Sequence, residues 1–133
     1  MATVNRQVRK YRDLNLILEA HPFTKDVLTR VNADAIKNSV INLVQTSNYE
    51  RLFHPEIGCQ VRSLLFEPFI PSTVAAIRKS ILQTIEKFEP RATVTDIVVE
   101  DESEINGVRI EITFTINNLE QPVTVVTTLS RVR

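Results

Sequence analysis

The tripeptide Glu89-Pro90-Arg91 separates a segment of helical periodicity from a segment of strand periodicity. Before it, apolar residues recur at steps of three and four, which predicts a helix of about residues 73–88. Ser72 can cap the start of this helix, and Pro90 both ends it and biases Glu89 towards an extended conformation. After Arg91 the apolar period changes to two. Since Pro90 fixes the backbone between a carboxylate and a guanidinium, the tripeptide favours docking over catalysis.

The residues that follow predict a three-stranded antiparallel β-meander. The first strand covers residues 94–100, and Asn106-Gly107 is a strong hairpin signal. The acidic stretch before Asn106 leaves room for a loop longer than two residues. Residues 117–122 make the second reversal, and residues 123–129 form the third strand. The second strand has a predicted buried face of Val108, Ile110, Ile112, Phe114 and Ile116.

The third strand is rich in Val and Thr and carries no charge before Arg131. At a sheet edge its unpaired N–H and C=O groups would recruit other strands, and only Pro122, Arg131 and Arg133 protect it. Two interpretations stay open. The strand is interior or covered by the N-terminal segment, or it accepts strands of another subunit by β-augmentation. The residues of such a contact would be Val123, Thr124, Val125, Val126, Thr127, Thr128 and Leu129.

The N-terminal half predicts one strand and two helical segments. Residues 1–12 form a basic arm that we expect to be flexible, and alternating Leu residues predict a strand at residues 13–18. A helix of about residues 33–46 has one apolar face. Residues 61–66 predict a second short helix or an irregular apolar turn.

The ends of the first helix have their own signals. Asn32 and Asp34 offer N-cap chemistry. The helix is expected to stop near Ser47-Asn48, because Asn tolerates the left-handed conformation that satisfies the last carbonyls.

Composition excludes several classes of function. A length of 133 residues suits a single domain, residues 1–133. Sixteen Lys and Arg balance sixteen Asp and Glu, and only 6% of residues are aromatic, so no nucleic-acid partner is expected. One cysteine excludes an internal disulfide and predicts a reducing compartment. No segment approaches the roughly 20 apolar residues of a bilayer span, so we expect no membrane partner and no secretion by the general route.

Metal, thiol and nucleotide chemistry find little support. His54 and Cys59 are separated by four residues but lack further ligands for a tetrahedral site, and His21 is distant in sequence. We expect a loop histidine and a packed thiol. The two glycines, Gly58 and Gly107, do not lie in a phosphate-binding motif. No metal and no cofactor are expected.

Three segments occur in a specific order: residues 35–43 followed by Thr46, residues 50–58 leading to residues 64–68, and Glu89-Pro90-Arg91. Together they resemble the sheath-initiator, or baseplate-wedge, family of contractile-tailed phages, whose relatives serve type VI secretion systems and contractile particles. The resemblance covers roughly residues 13–116. It departs from the family at Tyr49, where Gly is usual, and Asn48 is expected to take over the special backbone geometry.

The resemblance implies an α+β structural subunit, in which an N-terminal strand and helices pack with the C-terminal meander. It implies wedge-core contacts through Glu89, Pro90 and Arg91, with Glu50 and Arg51, and sheath contacts through the C-terminal sheet. The expected partners are other baseplate wedge proteins, the tail sheath protein and central hub or tube proteins, in a virion baseplate assembled in the host cytoplasm. An internal Glu89–Arg91 ion pair that locks helix to sheet is the other interpretation of the tripeptide, and both can hold.

Two further functions stay open: a generic interaction module, and a peptidoglycan-degrading enzyme, because this family has been labelled lysozyme-like. A glycosidase needs two carboxylates across a cleft, one of them with a raised pKa. No candidate lies in a recognisable active-site motif, and Arg91 would lower the pKa of Glu89. The prediction is therefore no catalytic residue and no enzyme activity. The candidate carboxylates are Glu50, Glu56, Glu67 and Glu89.

Overall fold

The predicted change from helix to sheet is present in the computed structural model, which describes residues 11–15, 17–117 and 119–131. The α+β class and the C-terminal meander are confirmed. The elements are β1 (Arg12–Leu14), β2 (Thr29–Val31), α1 (Ala33–Gln45), α2 (Val61–Leu64), α3 (Pro71–Phe88), β3 (Ala92–Glu102), a 3₁₀ turn (Ser103–Ile105), β4 (Gly107–Ile116) and β5 (Leu119–Ser130).

The C-terminal sheet has the order β3-β4-β5, and both pairs are antiparallel. A register shift lies between Val94 and Asp96 of β3. The hairpin loop is longer than two residues, and Asn106 alone closes it in the left-handed conformation. β5 starts earlier than predicted, so Pro122 lies inside the strand, opposite Thr115, and not in a turn.

The helices and the sheet share one hydrophobic core. The predicted face of β4 is confirmed, since all five of its apolar side chains are buried. Burying a side chain of this size contributes about 1.5–3 kcal/mol, so the buried face of β4 is a main source of stability. No helix of the described residues is long and apolar enough to cross a membrane. The helical residues in the same core include Ile36, Val40 and Val44 of α1 and Ile77, Ile81 and Ile85 of α3.

The strand predicted at residues 13–18 was wrong in its length. β1 ends at Leu14, and the chain then turns, with the Leu18 N–H donating to the Asn15 carbonyl at 2.9 Å. Leu14 and Leu18 are exposed, so the alternating Leu pattern is not a core face. β1 pairs with β2, a strand that the sequence did not reveal. Of the predicted basic arm, residues 1–10 lie outside the described residues, and Arg12 belongs to β1.

The side-chain caps predicted for the helices were wrong. Asn32 occupies the N-cap position of α1, but its side chain makes no capping hydrogen bond, and α3 begins at Pro71 after an extended Ile70, so Ser72 is not its cap. Pro is favoured at the first helical position because its φ is already helical and its missing N–H would have had no partner. At the end of α1 the Thr46 N–H and hydroxyl both donate to the Asn42 carbonyl, so Asn48 is not needed there.

Candidate functional site

Glu89 is the residue at which α3 ends and the chain turns into β3. Its N–H donates to the Ile85 carbonyl at 2.8 Å, and its own carbonyl accepts from the Ala92 N–H at 3.1 Å. Pro90 lies between these bonds and prevents a further helical turn. The Glu89 side chain points inward and is only 3% exposed, whereas Pro90 is exposed.

Three hydrogen bonds hold the Glu89 carboxylate. Arg91 donates through Nε and, at 2.7 Å, through Nη2, and Ser39 of α1 donates through its hydroxyl. Burial raises the pKa of Glu89, but the hydrogen bonds from Arg91 and Ser39 and the Arg91 charge outweigh it, so its pKa lies below the ordinary value. The same ion pair raises the pKa of Arg91, chiefly through the hydrogen bond to Glu89. The predicted internal ion pair between helix and sheet is therefore confirmed.

The N-terminal segment covers the other side of the Arg91 guanidinium. Its Cζ lies 5.2 Å from the centre of the Tyr11 ring, a cation–π contact. Asp13 of β1 lies 3.5 Å from Nη2. Together these contacts leave 28% of the Arg91 side chain exposed. A partner at the tripeptide would thus meet Pro90 and the outer part of Arg91, because both Glu89 oxygens are already bound.

The hydrogen-bond direction along β5 follows from one bond and the register. The Arg131 N–H donates to the Asn106 carbonyl, and the two residues continue the β4–β5 register. Because bonded and non-bonded positions alternate in an antiparallel pair, every second residue before Arg131 faces β4. The residues whose N–H and C=O groups face away from β4 are Thr124, Val126, Thr128 and Ser130.

β5 is an edge strand among the described residues, where it pairs with β4 alone. Pro122 falls at an outward-facing position, where its missing N–H costs no ladder bond, as expected for Pro in edge strands. Val123, Val125, Thr127 and Leu129 of the predicted sheath contact turn their side chains towards the core, whereas Thr124, Val126 and Thr128 are exposed. The predicted set is therefore split between the two faces of the sheet.

Residues 47–58 form a loop, here called the apolar loop, that the sequence predicted only as a bend followed by a Pro-containing turn. Ser47 and Cys59 form a parallel bridge at its base. Across the loop the Tyr49 N–H donates to the Pro55 carbonyl at 2.9 Å. Tyr49 itself adopts φ 68°, so the expectation that Asn48 takes over the special geometry was wrong.

Glu50 and Arg51, the other predicted wedge contacts, lie in the apolar loop and differ in their bonding. Glu50 accepts the Ser47 N–H at 2.8 Å, so its carboxylate braces the loop. Arg51 is exposed and lines a cleft of about 230 Å³ with Ser39, the residue that binds Glu89. The cleft therefore extends from the apolar loop to Ser39 and to Phe88, the residue before Glu89.

The cleft beside α3 does not contain two of the candidate catalytic carboxylates. A cleft of about 420 Å³ between α3 and the apolar loop contains one carboxylate, Glu56, beside Lys79 and Lys87. Hydrogen bonds from its own backbone and from His54 lower the pKa of Glu56. The pKa of Glu89 is also lowered, and a general acid needs the opposite shift. Glu67 is exposed and does not line this cleft.

The other chemical candidates are placed as expected from the sequence. His54 lies on the exposed loop, 3.3 Å from Glu56, and Cys59 is a buried free thiol beside the Ser80 hydroxyl. Among the residues that the structure describes, no three His, Cys, Asp or Glu side chains are grouped to hold a metal ion.

Several solved structures share this fold. A protein described as a tail lysozyme from Geobacter sulfurreducens has a TM-score of 0.69 at 18% identity, covering 75% of this chain and 91% of its own. A chain of the anti-feeding prophage baseplate, solved with six-fold symmetry, has a TM-score of 0.64 at 18% identity and covers 93% of this chain and 88% of its own. A chain of the post-contracted R2 pyocin baseplate has a TM-score of 0.51 at 14% identity, with 84% and 96% covered.

Sequence comparison is more specific than these likenesses of fold. Baseplate wedge protein gp25 of Enterobacteria phage T4 is 31% identical over 91 residues, which are 68% of this chain and 66% of that protein. The match thus leaves about a third of that relative without a counterpart. The family described as baseplate wedge protein gp25 matches residues 30–121, a span that contains α1, the apolar loop, the Glu89–Arg91 pair and the start of β5. This chain belongs to the baseplate wedge protein gp25 family.

Proposed function

We propose that the protein is a structural subunit of a contractile-tail baseplate and that the outer edge of β5 starts the tail sheath. The observation that carries the proposal is the row of outward-facing N–H and C=O groups at Thr124, Val126 and Thr128. An extended arm of a sheath subunit can pair with these groups and continue the sheet beyond β5. Membership of the family supports the baseplate assignment, and chains of two contractile-particle baseplates share the fold.

The two edges of the sheet differ in a way that favours β5 as the acceptor. β3 is interrupted by its register shift and carries Asp96 and a run of acidic residues at its end. Shifts and charges of this kind discourage strand addition. β5 has no charged residue from Val123 to Ser130. The β4–β5 pair has a register shift of its own, but it lies at the start of β5, between Leu119 and Pro122. A strand arriving from another molecule would therefore meet charge and irregularity along β3, and a regular, uncharged edge along residues 123–130 of β5.

The second part of the proposal is attachment to the wedge, which fits the surface around Pro90 and Arg91. Ser39 and Arg91 fix Glu89, which makes the turn between α3 and β3 rigid. A rigid turn loses little entropy when a partner binds. Arg51 extends this surface across the cleft that Ser39 lines. In the proposal, other wedge proteins bind here while the sheath protein binds at β5.

The test removes one outward donor without touching the β4–β5 ladder. Val126→Pro removes a backbone N–H that faces away from β4, and Pro122 already lacks such an N–H. Val126→Thr keeps the backbone N–H and has a side chain of similar shape. In particles that carry Val126→Pro, we expect assembled baseplates with little or no sheath, and in Val126→Thr particles normal sheath. Normal sheath on Val126→Pro baseplates would contradict the proposal. Thermal unfolding of the purified variants checks that the fold is retained.

A lysozyme function has weaker support, because it rests on the fold likeness to one protein described as a tail lysozyme. The cleft beside α3 offers one carboxylate where a glycosidase needs two. A peptidoglycan turnover assay on the purified protein checks this alternative. Activity that disappears in Glu56→Gln or Glu67→Gln would replace the assembly function by a catalytic one.

A further inference from the structure

The tip of the apolar loop exposes three large apolar side chains to water. Tyr49 and Leu52 are each 85% exposed, and Phe53 is 95% exposed. They lie within five consecutive residues of one loop, so apolar exposure is concentrated there. Concentrated apolar exposure marks interaction sites in soluble proteins.

The backbone under this patch is strained. Tyr49 has φ 68° and Phe53 has φ 69°, a region that L residues with a side chain rarely occupy. Neither side chain gains burial from this conformation, because both point into solvent. Strain without a packing reason is characteristic of binding segments, where the surrounding structure holds a residue in its bound geometry.

The base of the apolar loop supplies that restraint. Gly58, at φ 146°, passes so close to Ser47 that a Cβ would lie 2.7 Å from its carbonyl. The Glu50 carboxylate binds the Ser47 N–H, and the Cys59 N–H donates to Thr46. The tip is therefore presented on a fixed base, and a partner that binds it does not have to order the loop.

The charges of the loop indicate what surrounds the partner's pocket. Glu50 is bound within the loop, and Glu56 lies against His54 at 3.3 Å. Arg51 has no ion pair among residues 11–15, 17–117 and 119–131. An unpaired guanidinium beside an apolar tip matches a pocket with a carboxylate at its rim, since Arg and carboxylate groups form bidentate bonds.

We propose, on the basis of the function proposed above, that this tip is an anchor that inserts Leu52 and Phe53 into an apolar pocket of another baseplate protein while Arg51 binds a carboxylate at the pocket rim. The cleft that Arg51 lines also contains Ser39, which binds Glu89, and Phe88, which precedes Glu89 in the chain, so the tip lies near the tripeptide. One wedge protein can therefore contact both. The loop supplies the apolar part of that interface, and the tripeptide supplies a rigid polar part.

The experiment places a photo-crosslinking benzoylphenylalanine at position 53 in full particles. The matched control is position 23, because Phe23 is 90% exposed and belongs to the segment between β1 and β2, outside the apolar loop. We expect position 53 to cross-link to one other baseplate protein, and more strongly than position 23. A cross-link only to a second copy of this chain, or none to any baseplate protein, would overturn the proposal.

Substitution supplies a second measurement. Phe53→Asn removes the aromatic ring and keeps a residue that tolerates positive φ. We expect its incorporation into baseplates that lack this subunit to fall about tenfold or more, as for a binding hot spot, with no fall in melting temperature. Phe23→Asn leaves incorporation unchanged. A fall in melting temperature with normal incorporation would give Phe53 a structural role and contradict the anchor.

Three outcomes separate this proposal from a lipid anchor and from the function proposed above. Binding of the purified protein to phosphatidylcholine–phosphatidylglycerol vesicles, lost in Phe53→Asn, would make the tip a lipid anchor and overturn the protein pocket. If Phe53→Asn is incorporated normally while Val126→Pro blocks the sheath, the anchor is wrong and the proposed function stands. If baseplates that lack this subunit carry normal sheath, the proposed function itself is wrong.

Discussion

Arg91 holds Glu89 with two hydrogen bonds across the single residue Pro90, and this pair joins three parts of the fold. Glu89 ends α3, Arg91 directly precedes β3, and the Ser39 hydroxyl on α1 binds the same carboxylate. The tripeptide is thus a structural lock as well as a surface feature. Its partner-facing part is limited to Pro90 and the exposed side of Arg91.

Glu89→Gln should destabilise the protein, because it removes a charge from a nearly buried ion pair and leaves Arg91 without its main partner. Breaking a buried pair costs about 3–5 kcal/mol, and the partial exposure of Arg91 lowers our expectation to about 2–3 kcal/mol. The measurement is the free energy of unfolding in urea. Asp13→Asn is the control, since the more exposed Asp13 contact should contribute less than about 1 kcal/mol. Equal losses in the two variants would show that the lock does not depend on Glu89.

The same pair predicts a dependence of stability on pH. The pKa of Glu89 lies below its ordinary value of 4.5, so below that pH the unfolded state binds more protons than the folded state. The contribution of Glu89 is present in full above the ordinary pKa and disappears as the pH falls through the lower, folded pKa. In urea titrations from neutral to acidic pH, the difference in unfolding free energy between the unmodified protein and Glu89→Gln should narrow below pH 4.5. A constant difference would contradict the depressed pKa.

Much of the fold follows from periodicity in the sequence. Apolar residues spaced three and four apart predicted α1 and α3, and apolar residues spaced two apart predicted the buried face of β4. These predictions held because each of these faces packs in the core. The alternation at Leu14 and Leu18 failed for the opposite reason, since those side chains are exposed and no core face fixes them. The predicted cap at Ser72 failed because Pro71 starts α3 earlier.

The site could be predicted only in part. The Glu89–Arg91 pair follows from Pro90, which holds the two residues on either side of one turn. The edge position of β5 follows from the order of the strands in the sequence. The Ser39 bond could not be predicted, because it joins residues 50 positions apart and depends on how α1 packs. Strain at Tyr49 and Phe53 has no sequence signal in a single chain, although the missing family Gly at Tyr49 marked the position as unusual.

The edge position of β5 predicts an alternating pattern of amide exchange. The N–H groups of Val125, Thr127 and Leu129 face β4 and should be protected, whereas those of Val126 and Thr128 have no ladder partner among the described residues. Amide hydrogen exchange of the purified protein, resolved by residue in NMR spectra, measures this pattern. We expect the protection factors of the N–H groups that face β4 to exceed those of the outward-facing N–H groups by at least about tenfold. Equal protection along β5 would mean that another strand covers this edge.

Tyr49→Gly should stabilise the isolated protein, because Gly occupies φ 68° without strain. A side chain in the left-handed region costs about 1–2 kcal/mol, and the greater backbone entropy of unfolded Gly offsets about 0.5–1 kcal/mol of the gain. The expected net gain is therefore about 0.5–1 kcal/mol in the free energy of unfolding. Tyr49→Ala is the control: it removes the exposed ring but keeps the strain, so its stability should stay within about 0.5 kcal/mol of the unmodified protein. If Tyr49→Ala gains as much as Tyr49→Gly, the exposed ring and not the backbone is the source of the cost, and the loop is not held in a strained conformation.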